Sequence, residues 1–409
     1  MNCCSRDFSK YVPHIFFREW DNFTIFVVIK YNGNMKFSVS SSELLGGLMS
    51  VSKVIAPKPT KAILENYLFE LNDNTLTVTA SDGETTLRTN IPISRVERTG
   101  STAVPAKLLT DSLKEFPDQP LVFSIEDGSS TMDITWSSGA SKLPCYDSAD
   151  YPQIPAIEGS AQNVVINAAT LLNGINNTIY ATAEEELRPV MNGIYFDMDT
   201  SSATLVASDA HKLVCYTFSG AHIPCPMNFI LHKKPAAILR GLLSKCEEDV
   251  SIRFDSKNAY FVFGENILVC RLIEGNYPAY RTVLPKNNSN KLTIGRSELL
   301  GVVKRIAVCS NQVANQVKFK LSYNEINISA QDLSFSMSAY ETLACQYDGD
   351  EMEIGFKSAF LLEILSNLPY RNICVELADP ARAALIVSAD EPDSDEDIKA
   401  LLMPVMINA

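Results

Sequence analysis

Residues 291–303, KLTIGRSELLGVV, decide the fold, because two other stretches carry nearly the same phrase. Residues 36–48 read KFSVSSSELLGGL and residues 163–175 read NVVINAATLLNGI, so the second leucine of each pair falls at Leu45, Leu172 and Leu300, 127 and 128 residues apart. Each phrase alternates apolar residues over a short strand, then passes Ser or Ala into a helix whose Leu-Leu pair starts an apolar stripe. A long internal period means one module used three times. A second phrase gives the same register: LTVTASDGETTLRT at 76–89, ATLVASDAHKLVCY at 203–216 and INISAQDLSFSMSA at 326–339 set Asp82, Asp209 and Asp332 127 and 123 residues apart.

The reading is a triplicated α+β chain, each module two helices packed on antiparallel sheet. Module one is expected over 35–160, module two over 161–287 and module three over 288–409. Three modules of about 125 residues sit at the common domain size, each able to bury a core. The pattern predicts helices over 42–54, 105–116, 168–183, 233–246, 297–309 and 357–368, hairpins after the first helix of each module, and a last strand over 401–407. Leu44, Leu45, Leu48 and Val51, then Leu171, Leu172, Ile175 and Ile179, then Leu299, Leu300, Val303 and Ile306 mark the faces that pack on the sheets. Residues 1–34 belong to no repeat and lack the features of a signal peptide. Met35 is a candidate initiator; a start placed too far upstream or a disordered appendage is set against a functional tail.

An apolar share of 46 % is ordinary for a water-soluble chain. No run reaches the roughly 18–20 apolar residues of a membrane span. Ten cysteines form no C-x-x-C pair, and Cys215, Cys270, Cys309 and Cys374 sit singly in apolar strand contexts, which reads as reduced core thiols in a cytoplasmic protein. The four histidines have no Glu or Cys at metal spacing, no phosphate-cradling loop occurs, and no nucleophile is placed with His211, so neither a catalytic residue, a metal nor a cofactor is expected. The acidic run at 390–397 lacks the glycine and closing Glu of a calcium loop and reads as a solvated loop.

Charge is unevenly distributed. Counted over 42–54, 105–116, 168–183, 232–246, 296–309 and 357–368, the helical windows hold 11 Lys/Arg against 5 Asp/Glu in a chain whose net charge is −13. Helix propensity favours Glu as much as Lys, so propensity alone does not strip the acids. Such a face suits a polyanion, and without a base-reading module the binding is expected to phosphate, independent of sequence.

The phrases MKFSVSSSELL (35–45), VASDAHKL (206–213), EGNYPAYRTVLPKN (274–287), EMEIGFKSAFLLEIL (351–365) and LLMPVM (401–406) closely resemble the bacterial β sliding clamp, the processivity subunit of the DNA polymerase III holoenzyme. The resemblance implies a head-to-tail homodimer closing a ring of six modules around double-stranded DNA. It implies DNA-facing cations at Lys58, Lys107, Lys114, Lys233, Lys234, Arg240, Lys304, Arg305 and Lys357. It further implies a pocket between modules two and three where the polymerase catalytic subunit, clamp loader and repair proteins dock short linear motifs. Its walls would be Met191, Ser208, His211, Lys212, Leu213, Pro278, Val283, Met403, Pro404, Val405 and Met406, with Arg188 and Thr282 at the edge. Two methionines in an apolar C-terminus suit a surface that adapts to several partners; on this reading Leu401 and Met403 serve the core and 404–406 form the lip. Ala210, Ala279 and Thr282 depart from residues common in the family. The ring seam maps to Leu143 on one side and Val308 and Cys309 on the other. An enzyme with a site between modules, or a monomeric protein-binding scaffold, are the alternatives.

Overall fold

The computed structural model describes residues 35–126, 128–155, 162–185, 187–221, 223–311, 313–390 and 395–407. The expectations for residues 1–34, His222 and residues 391–394 of the acidic run therefore lie outside the described residues.

Module one runs β1 (Lys36–Ser40), α1 (Ser41–Val51), β2 (Asn66–Asn72), β3 (Thr75–Ser81), β4 (Thr85–Pro92), β5 (Arg95–Arg98), β6 (Gly100–Pro105), α2 (Ala106–Lys114), β7 (Pro120–Ser124), β8 (Thr131–Trp136) and β9 (Gly139–Pro144). Module two runs β10 (Gln162–Asn167), α3 (Ala168–Thr178), β11 (Gly193–Met198), β12 (Ser202–Ser208), β13 (Lys212–Ser219), β14 (Met227–His232), α4 (Lys233–Leu243), β15 (Asp249–Phe254), β16 (Asn258–Phe263) and β17 (Asn266–Arg271). Module three runs β18 (Asn290–Gly295), α5 (Arg296–Ala307), β19 (Gln316–Ser322), β20 (Glu325–Asp332), β21 (Met337–Ala344), β22 (Gln346–Asp348), β23 (Met352–Lys357), α6 (Ser358–Asn367), β24 (Asn372–Leu377), β25 (Ala384–Ser388) and β26 (Glu396–Leu402). The six expected helices and the α+β class are borne out.

Each module is itself a doubled strand–helix–three-strand unit whose halves interlock. In module two, β10 pairs with β15 of the other half, and β14 pairs with β11. Modules one and three repeat this through β1 with β7, β6 with β2, β18 with β24 and β23 with β19. The chain falls into two compact units, one holding most of residues 35–153 and the other modules two and three. In the second unit a nine-stranded sheet, ordered β14-β11-β12-β13-β26-β25-β24-β18-β22, carries both modules. Its join is antiparallel, from Lys212 opposite Leu402 to Phe218 opposite Glu396.

Packing explains the repeated phrase. Leu44, Leu171 and Leu299, the first of each leucine pair, are buried, whereas Leu45, Leu172 and Leu300 are only half-buried. The helices pack in pairs, α1 with α2, α3 with α4 and α5 with α6, as well as on the sheets. Their starts are built differently. The Ser40 hydroxyl accepts from the amides of Ser42 and Glu43, and the Asn167 side chain accepts from that of Ala169, but Gly295 ahead of α5 offers no side chain.

Three expectations need correction. The last strand spans 396–402 rather than 401–407, because Pro404 has no amide to continue a ladder. Met403 is not core: it is 38 % exposed, whereas Leu401 is buried. Cys309 lies just beyond α5, half-buried, not in a strand. Cys215 and Cys270 are buried strand thiols, and burial pushes each up to about 12, so they stay neutral.

Candidate functional site

The join between β13 and β26 gathers most of the residues expected to form the peptide pocket. Ser208 ends β12, and its hydroxyl donates to the carbonyl of Lys212 and accepts the amide of Ala210, closing a tight turn. Asp209 Oδ1 accepts the amides of His211 and Lys212. Ala210 is held at φ +72, the left-handed region that costs an L residue with a Cβ and favours glycine. The turn presents His211, exposed, stacked on Phe360 of α6 with ring centroids 5.3 Å apart.

Lys212 is not an open wall. It is buried, its ammonium bonded to Asp209 Oδ2 at 2.6 Å and Glu363 Oε2 at 2.9 Å and lying 4.6 Å from the Phe360 ring centre. A buried cation needs such partners, and here they tie module two to module three. Leu213 is likewise buried, opposite Leu401, in a cluster with Val206, Cys215, Tyr280 and Leu385.

The tail lies across this join. The Met403 amide donates to the His211 carbonyl, the Val405 amide to the Gly355 carbonyl in β23, and Gln316 to the Met406 carbonyl. Met406 is 85 % exposed and Val283 half exposed. The linking segment 277–284 is fixed by Tyr280, whose hydroxyl donates to Asp197 at 2.7 Å beside the Arg281–Asp197 ion pair. Burial, then the neighbouring carboxylate, push the Tyr280 hydroxyl up. Pro278 and Thr282 are exposed on the same segment. Met191 is buried at the end of the turn Pro189–Met191, and Arg188 before it pairs with Glu185. Gly275, at φ +127, lies against Val190 of that turn, where a Cβ would come within 2.9 Å of its side chain. Phe360, Glu363 and Gly355 were missed as site residues, although all three lie in the phrase at 351–365.

The cations expected to face DNA do not stand alike. Lys58, Lys107, Arg240 and Lys304 are exposed and have no ion pair among the described residues. Lys114 pairs with Asp111, Lys233 with Glu184, and Arg305 doubly with Glu341. The Lys233 and Arg305 bonds hold Glu184 and Glu341 below the usual carboxylate range. Lys234 follows Lys233 in the first turn of α4, and the Lys357 ammonium lies 5.0 Å from the Phe360 ring centre. Of the residues assigned to the seam, Val308 is 76 % exposed and Cys309 half-buried, but Leu143 is only 4 % exposed, in the core of its own module. No group of three or more His, Cys, Asp or Glu able to hold a metal occurs among the described residues, and no helix there is long and apolar enough to cross a membrane.

Comparison with known proteins decides the family. The DNA polymerase III beta subunit N-terminal, central and C-terminal domains match residues 35–155, 165–279 and 281–406 in that order, together most of the chain. The chain belongs to the DNA polymerase III beta subunit family. The beta sliding clamp of Vibrio cholerae is 28 % identical over 91 % of the chain and all of its own length, and that of Escherichia coli K12 is 28 % identical over 87 % and 96 %. Crystal structures of sliding clamps from Pseudomonas aeruginosa and Bartonella birtlesii superpose with TM-scores of 0.86 and 0.84 at 25 % and 27 % identity, covering 92 % and 91 % of the chain and all of theirs. The chain is accordingly a DNA sliding clamp, a non-catalytic processivity subunit that works with DNA and a DNA polymerase. Neither the enzyme nor the scaffold alternative is favoured.

Proposed function

We propose that two copies of the chain close head to tail into a ring of six modules, 35–160, 161–287 and 288–409 from each, in the cytoplasm. The observation that carries this reading is the β13–β26 join, because the repeat leaves its counterparts unpaired. The strand equivalent to β13 in module three is β21, and that equivalent to β26 in module one is β9. Both are edges of their sheets. An unpaired edge is a template for another strand, and β21, exposed along one face and half-buried along most of the other, is suited to meet β9 of a second copy. Carrying over the Lys212–Leu402 register sets Met337 opposite Leu143. Leu143 then supports the seam from inside its own core, and Val308 and Cys309 meet the partner directly.

The helices, with Lys58 from the loop after α1, supply a loose phosphate-facing surface in which Lys58, Lys107, Arg240 and Lys304 attract the duplex without fixing register. Lys114, Lys233, Lys234, Arg305 and Lys357 lie with them. The groove of Met191, Ser208, His211, Leu213, Pro278, Val283 and 403–406, edged by Arg188 and Thr282 and floored by Lys212, takes an extended, partly apolar peptide from the polymerase catalytic subunit, the clamp loader or repair proteins. The test is retention on DNA: the protein, loaded on a nicked circle, is expected to stay at moderate salt and leave when the circle is linearised. Loss from the intact circle at the same rate would overturn the ring.

A further inference from the structure

We propose that the tip between β20 and β21 is an apolar latch that docks on helix α2 of a second copy of the chain, centred on Leu108. The inference rests on the head-to-tail dimer and adds to it a contact beyond the strand seam. Its template is within the chain. Where β13 meets β26, the preceding turn reaches past the strand edge and lays His211 on Phe360, the third residue of α6. The repeat converts each part: β12 and β13 become β20 and β21, and α6 becomes α2. The third residue of α2 is Leu108, 47 % exposed between buried Ala106 and Leu109, just as Phe360 stands between buried Ser358 and Leu361.

The turns differ in chemistry. In module two the tip reads Asp-Ala-His-Lys (209–212), and in module one the equivalent turn holds Asp82, Gly83 and Glu84. In module three it reads Leu-Ser-Phe-Ser (333–336), with Leu333 82 % and Phe335 70 % exposed and Met337 beside them at 41 %. The tip is also built to hold this shape. Buried Asp332 accepts the Ser334 amide at 2.9 Å on Oδ1 and the Asn311 side chain at 3.2 Å on Oδ2, and Ser336 turns the chain at φ +54. Two large apolar side chains fixed outward on a rigid turn gain nothing in water, and such a patch marks a contact surface. The occupant is set by continuity: if β21 zips against β9 of a second copy, the repeat carries the tip onto that copy's α2, where Leu108 is apolar and uncovered.

Cross-linking and association together test this. The full chain carrying Leu108→Cys and Phe335→Cys, and a control carrying Ser141→Cys and Ala339→Cys at the strand seam, are treated with a short bismaleimide and read on denaturing gels against the unmutated chain. In parallel, Leu333→Ser with Phe335→Ser is measured by sedimentation across a dilution series. Both pairs are expected to join copies, and the serine variant to raise the dimer dissociation constant at least tenfold. If the seam pair joins copies and the tip pair does not, the latch is overturned and the dimer stands. A serine variant that dimerises as tightly as the unmutated chain overturns the latch whatever the cross-links show. If neither pair joins copies and the unmutated chain sediments as a single 45.1 kDa species, the dimer reading fails and the latch with it.

Discussion

Single residues decide how the turn at the groove and the helix surface behave. Ala210 occupies a left-handed conformation, at φ +72, that glycine adopts freely. The Cβ penalty there is about 1–2 kcal/mol, partly offset because glycine has more unfolded freedom to lose. Ala210→Gly is therefore expected to stabilise the chain by roughly 0.5–1 kcal/mol, read from urea unfolding; an unchanged or lower midpoint would mean that the turn relaxes around alanine. On the helices, Lys107, Arg240 and Lys304 are exposed and lack ion pairs among the described residues, so each can reach a phosphate without first breaking a bond to a carboxylate. Because each neutralised phosphate adds about 0.9 to the slope of log affinity against log salt, changing all three to Gln, which removes six cations from a ring of two copies, should flatten that slope by up to roughly 5. A slope that does not move would place the DNA path elsewhere.

At the scale of elements, the threefold repeat was legible because its phrases carry the strand-to-helix signal in local sequence. Further doubling inside each module was not, although Val104 to Leu109 and Phe356 to Leu361 place a strand before a helix in the same way. Pro105, His232 and Lys357 stand where Ser40 stands, so the phrase is disguised. Strand β9 was missed because only Leu143 among its residues is buried, which leaves no alternation to read. Buried Lys212 defeated hydropathy, since one partner, Glu363, lies in another module. The tail was legible as sticky but not in its course: three backbone anchors, to His211, Gly355 and Gln316, hold it across the join. Truncation at Met403 would remove those anchors with the side chains, so Met406→Asp with Pro404→Ala is the cleaner variant. If a bound peptide buries one or two apolar side chains here, each worth about 1.5–3 kcal/mol, losing two such contacts should weaken binding about a hundredfold or more. Fluorescence anisotropy of a labelled Gln-Leu-x-Leu-Phe peptide checks this, and undiminished binding by a folded variant would move the groove.

For the whole molecule, the consequence of a ring is topological, and it can be tested without knowing any contact energy. The carried-over register sets Ala339 opposite Ser141 of a second copy, and directly opposed antiparallel residues have Cα atoms about 4.5–5.5 Å apart, inside the range a disulfide spans. A chain carrying Ser141→Cys and Ala339→Cys would then close both seams covalently on oxidation. If the molecule encircles DNA, order of operations becomes the readout. Oxidised after loading on a nicked circle, the protein should resist salt and denaturant, since leaving would require a broken backbone, and it should be freed by reductant or by cutting the circle. Oxidised beforehand, it should not load on the circle at all, yet still thread onto a linear duplex through the free ends. A protein that only grips the surface predicts the opposite: salt would strip it equally in either order, and linear and circular DNA would behave alike. Loading of the pre-oxidised, fully cross-linked species on an intact circle would exclude encirclement, however well the two edges pair.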